Sequence, residues 1–177
     1  VRPDEPLIGE HQLINELIYL LKEELSRLDS GGDFNMPFLD AVIDFIRFYA
    51  HMCHHGKEFK LFQLLKEQKL SSELAETMKV LINDHKLFQD TLKGIIKNRD
   101  KLLKGNSKAL LKIIDSLRKL NELYPKHIQT EEKFFFKQAV NYLTNEEQDN
   151  LIKDFNDFDM SLIHEKYKLL VNELKDS

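Results

Sequence analysis

The sequence predicts an all-α fold: an antiparallel up-down four-helix bundle with a fifth, C-terminal helix. Three observations carry that expectation. Apolar residues recur at 3/4 spacing along nearly the whole chain. Only six glycines and four prolines in 177 residues interrupt the spacing. No stretch shows the two-residue alternation of a strand.

The breaks delimit the helices in order. A first runs from about Pro6 to Leu28 and stops at Asp29-Ser-Gly-Gly-Asp. A second follows Pro37 and reaches about Lys66. The third starts after Ser71-Ser72-Glu73, where a serine oxygen caps the free N–H groups of the first turn, and ends near Leu103 before Lys104-Gly105-Asn106. The fourth extends from near Ser107 through Tyr142, and Pro125, which has no amide hydrogen, predicts a kink or local break within it. Thr144-Asn-Glu-Glu147 forms a capping box that opens a fifth helix ending near Leu174. Short connections make the four long helices antiparallel neighbours, with the fifth packed across or alongside them. Residues 1–177 read as one domain, long enough to bury roughly 70% of the unfolded surface without staples.

Composition narrows the function classes. Twenty-six basic against 30 acidic side chains give a net charge of −4, with no basic tract, which argues against a nucleic-acid binder that must neutralise phosphates. No apolar run approaches the ~20 residues needed to cross a bilayer. The opening, Val1-Arg-Pro-Asp-Glu-Pro, has no signal-peptide pattern and no initiator Met. A single cysteine, Cys53, suits a reducing cytoplasm, the expected location, and is expected to act as a small buried apolar group.

Two segments are built alike: His54-His-Gly-Lys-Glu58-Phe-Lys-Leu-Phe62 and His127-Ile-Gln-Thr-Glu131-Glu-Lys-Phe-Phe135. Each places a His and a Glu four residues apart, which stacks them on one helix face. The inward row of the first helix is Leu7, His11, Ile14, Ile18, Leu21, Leu25 and Leu28. That of the second passes Ala50, His54, Glu58 and Leu61, that of the third Leu81, His85, Phe88 and Leu92, and that of the fourth Tyr124, His127, Glu131 and Phe134. Every long helix thus puts a His on its core-facing row, and in an antiparallel bundle all of them fall toward one end. Buried unpaired imidazoles and carboxylates are costly, so the groups need a partner that supplies compensating charge. Imidazoles with two carboxylates suit Fe, Mn or Zn, and carboxylates on facing helices can bridge two metals. Four His and two Glu exceed the needs of one ion, and two irons fit best.

At this point the residues resemble a known family. The order His … His-x3-Glu … His … His-x3-Glu on a helical bundle is similar to the hemerythrin-like (HHE cation-binding) domains, which hold a non-haem di-iron centre. The resemblance covers nearly the whole chain. Cys53-His-His-Gly-Lys-Glu58 and Tyr124-Pro-Lys-His-Ile-Gln-Thr-Glu131 are close to phrases typical of its bacterial and archaeal branch. It implies iron ligation by His11, His54, His85 and His127, with Glu58 and Glu131 as bridges. The oxygen carriers of marine worms have a second His four places after the one on the third helix, and here that place holds Gln89. His164, on the apolar row Met160, His164, Tyr167, Val171 and Leu174 of the fifth helix, is therefore expected to complete the ligand shell. His55, about 100° round the helix from His54, is expected behind the ligands or in solvent, as is His51. Phe134, Phe135 and Phe136, with Phe62 and Phe88, are expected to pack the core and wall the site from water.

The resemblance implies binding of a small diatomic ligand, O2 foremost, for oxygen binding, sensing or response. Two other readings remain open on the residues: a di-iron enzyme acting on peroxide or nitric oxide, and an iron-storage or iron-sensing protein in which metal loading controls the fold.

Overall fold

A computed structural model describes the backbone of residues 1–175 and the side chains of residues 1–162 and Lys166. Among the described residues every regular element is helical and no strand occurs. Five helices follow one another. Helix α1 is Asp4–Asp29. Helix α2 spans 36–66 as Met36–Asp44, a wider π-helical stretch Phe45–His54, and His55–Lys66. Helix α3 is Ser72–Leu103. Helix α4 spans 108–142 as Lys108–Thr130, a π-helical turn Glu131–Phe135, Phe136–Ala139 and a closing 3-10 turn Val140–Tyr142. Helix α5 is Asn145–Lys175.

The ends follow local chemistry. Pro6 lies inside the first turn of α1, where a missing N–H leaves no bond unmade. Asn35 caps α2 by accepting from the Phe38 amide at 3.0 Å, and Ser71 caps α3 by accepting from the Leu74 amide at 3.2 Å. The Thr144 capping box forms in both directions: the Glu147 amide donates to Thr144 Oγ1 at 3.2 Å, and the Thr144 amide donates to Glu147 at 2.7 Å. Gly31 and Gly105, with φ of 86° and 87°, take the left-handed turn that ends α1 and α3.

Two sequence expectations are corrected here. Helix α4 continues as regular α-helix through Pro125, and its irregular winding comes later, at Glu131–Phe135. A single lost N–H is tolerated because Tyr124 and Ile128, on either side, are held in the core. The wider π turn then adds a residue to the winding and rotates the face behind it. Phe135 takes the inward place expected of Phe134, which is 60% exposed.

Two apolar clusters form the core. The larger contains Ile14, Leu21, Leu39, Ile46, Phe88, Leu92, Ile113 and Leu120. The other contains Leu7, Leu61, Phe62, Leu81, Phe135, Phe136, Leu151 and Phe155. On each of the first four helices the histidines interrupt the row where one cluster gives way to the other. The polar layer is therefore closed by apolar side chains on both sides rather than open at an end.

Candidate metal centre

His11, His54, Glu58, His127 and Glu131 are all buried, and Glu58 and Glu131 are 0% exposed. His85 is nearly so, with 13% of its side chain accessible. The structure brings these six together and adds a seventh. His55 is buried, and its ring lies parallel to that of His85 with centroids 4.0 Å apart. Of the two places expected for it, behind the ligands or in solvent, burial rules out solvent, and the π-helical stretch ending at His54 turns two consecutive positions toward the layer. The His164 side chain lies outside the described residues.

The donor atoms fall into two groups, each within 4.8 Å: His11, His54, Glu58 and Glu131 in one, and His55, Glu58, His85 and His127 in the other. Each carboxylate divides its oxygens between them. Glu58 Oε1 lies 3.2 Å from His54 Nε2, and Oε2 lies 3.1 Å from His85 Nε2. Glu131 Oε2 lies 3.2 Å from His11 Nε2, and Oε1 lies 3.0 Å from His127 Nε2. Within the groups, the Nε2 atoms of His11 and His54 approach to 3.0 Å, and those of His85 and His127 to 3.1 Å.

The outer ring nitrogens explain why the inner ones converge. His11 Nδ1 meets Glu132 at 2.8 Å, His54 Nδ1 meets Glu10 at 2.9 Å, and His127 Nδ1 meets Asp84 at 3.2 Å. A carboxylate accepts, so each Nδ1 carries a hydrogen and each ring turns its Nε2 inward. These three acids were not singled out in the sequence. Each sits beside a metal-layer residue of its own helix and orients a histidine of another, so adjacency to His11, His85 and Glu131 was the available signal.

Nε2 atoms facing one another and two carboxylates at such distances need positive charge between them. Burial opposes protonation of His54, yet the Glu58 and Glu10 carboxylates reverse this and hold it up at about 10. His127 is likewise held at about 10 against burial, by Glu131 and Asp84. Burial and the neighbouring Glu58 both push Glu131 up, but His127 and His11 outweigh them and keep it at about 2. Burial, with His85 alongside, drives His55 well below its ordinary value, so it stays neutral. No hydrogen bond aligns with either oxygen of Glu58 or Glu131, with either nitrogen of His55, or with the Tyr124 hydroxyl.

That donor set fits a metal. Metal–imidazole bonds of about 2.1 Å separate neighbouring ligand atoms by about 3.0 Å in an octahedron and about 3.4 Å in a tetrahedron. The contacts of 3.0–3.2 Å within the groups fall in this range. Buried carboxylate oxygens with no aligned hydrogen bond are what a cation satisfies and a hydrogen-bonded core does not.

The hemerythrin HHE cation binding domain is the family pattern that matches, over residues 2–139. The chain belongs to that family. Its membership implies metal-ion binding, and all six His and Glu positions expected on the first four helices lie inside the match. Of this hemerythrin-like chain, Val1, the closing turn of α4 from Val140, and all of α5 fall outside the match. No curated protein and no solved structure matched. None of its described helices is long and apolar enough to cross a membrane.

Proposed function

We propose that residues 1–177 form one hemerythrin-like domain of the bacterial and archaeal type, holding a non-haem di-iron centre that binds O2. The observation that carries the dinuclear reading is the split of each buried carboxylate between two histidine groups. Glu58 and Glu131 would be shared by both metal ions, His11 and His54 would hold one, and His85, His127 and His55 would hold the other. His55 fills the place that Gln89 leaves vacant, since Gln89 is turned away to donate to His51 at 2.8 Å.

Iron held there would supply the redox chemistry that binds a diatomic ligand. The protein does the rest. Glu10, Glu132 and Asp84 fix the ring orientations and keep the Nε2 lone pairs inward. Phe136 stacks beside His11, Phe62 beside His85, and Phe88 stands edge-on to His127, which excludes water and large substrates. An antiparallel up-down order of the four helices is supported by the core: along α1 and α3 the smaller cluster precedes the polar layer, and along α2 and α4 it follows. The free Cys53 suits a reducing cytoplasm.

Iron analysis with absorption spectra under O2 and argon tests this reading. The expected result is two irons per chain and a spectral change that reverses on removing O2. One zinc and no iron, after growth in iron-replete medium, would overturn it.

A further inference from the structure

Lys57 is 1% exposed, although an ammonium buried without partners is heavily penalised. Its partners account for it. Nζ donates to Glu10 and, at 2.8 Å, to Asp159 of α5. Glu10 uses its other oxygen to accept from His54 Nδ1 at 2.9 Å. The second oxygen of Asp159 accepts from the Cys53 thiol at 3.1 Å, and burial with this bond pushes the thiol up to about 12, so it stays protonated. Next to Asp159, the Phe158 ring lies against Gly56, where an added Cβ would come within 2.6 Å. Helix α5 therefore meets the turn that carries His54, His55 and Glu58 at its glycine and at its one buried lysine, and it lies beyond the segment matched by the family. Glu10, Cys53 and Asp159 could be taken for a further cation site, but the Lys57 ammonium already occupies the charge between the two acids.

We propose that Asp159 is a positioning residue for His54: Asp159 holds Lys57, Lys57 holds Glu10, and Glu10 holds the imidazole, so the docking of α5 sets the metal affinity of the His11–His54 half. The inference rests on the metal-centre reading above. Removing the Asp159 charge leaves the Lys57 ammonium with Glu10 alone. Glu10 is then drawn toward Lys57 and its bond to His54 loosens. Loss of a carboxylate behind a metal-bound histidine lowers metal affinity by roughly 10–100-fold.

Asp159→Asn keeps the shape and the Phe158 contact while removing the charge. Metal-free wild type and variant are titrated with Co(II), following its visible bands. Wild type is expected to take two equivalents, and Asp159→Asn to take one of them about tenfold or more weakly with an altered band. Asp159→Glu should restore much of the affinity. In a His54→Ala background, Asp159→Asn should have no further effect, because its route to the metal is already cut. Two unchanged equivalents in Asp159→Asn, even with a lower Tm, would overturn the relay and leave Asp159 as a docking contact only. So would a full additional loss in the His54→Ala background. If wild type takes a single equivalent, the dinuclear reading fails, and the relay still stands or falls on whether that equivalent weakens in Asp159→Asn.

Discussion

His55 lies face to face with His85, ring centroids 4.0 Å apart and planes 11° from parallel, and neither of its nitrogens is hydrogen-bonded. A buried imidazole with no partner is costly as scaffold and useful as a ligand. His55→Ala should lower the iron content of the purified protein toward one per chain and speed loss of the second iron to a chelator. His164→Ala, measured in parallel, should change retention less. Equal effects, or a larger one at His164, would transfer the ligand role to α5.

The two buried carboxylates offer a sharper contrast. Glu58→Gln and Glu131→Gln conserve volume while removing charge, and each leaves facing cations less compensated in a dry layer. Both irons should be held more weakly in either variant, since each oxygen pair serves both groups. Glu132→Gln, at a partly exposed acid behind His11 only, should weaken a single site. If Glu58→Gln loses just one iron, its oxygens do not span the two groups.

The metal-free protein should show a distinctive pH profile. His54 and His127 are held at about 10, above the ordinary 6.5, so their contribution to stability is full below about 6.5 and is lost as pH rises through 10. Glu131, held at about 2 against an ordinary 4.5, contributes fully above about 4.5 and loses that contribution as pH falls through 2. His55, held well below 6.5, works the other way: its contribution is full above about 6.5 and is lost as pH falls, so denaturant midpoints of the chelated protein should peak near 6.5 and decline on both sides. Metal uptake should release protons and tighten with rising pH across the neutral range, because the cation takes the place of the imidazole protons. A metal affinity independent of pH between 6 and 8 would count against the convergence of protonated rings described above.

Two helix-interior glycines should respond oppositely to alanine. An added Cβ at Gly94 meets nothing within 4 Å, so Gly94→Ala should stabilise α3 by roughly 0.5–1 kcal/mol, raising Tm by a few degrees. At Gly56 the same atom would meet the Phe158 ring at 2.6 Å. Gly56→Ala should cancel the propensity gain or reverse it by about 1–2 kcal/mol, with faster proteolysis of α5. Equal gains at both sites would show that Phe158 does not hold α5 against this turn.

Much of this protein was legible in its sequence, because helical periodicity is a local property. The apolar rows, the Ser71 cap and the Thr144–Glu147 box specified the helices to within a few residues. Six polar groups of the candidate centre were visible because His and Glu interrupt those rows at matched positions. The tertiary structure decided what depends on winding and on partners distant in sequence. The π turns at Phe45–His54 and Glu131–Phe135 change which side chains face inward, bringing His55 in and sending Phe134 out. Regular α-helical spacing cannot reveal that, because one inserted residue shifts every later position on the face. The carboxylates behind the histidines come from other helices, and Asp159 reaches Lys57 across about a hundred residues of chain, so only packing could pair them. Local sequence chose the helices and most of the donors, while the long-range arrangement of charge chose how those donors are aimed.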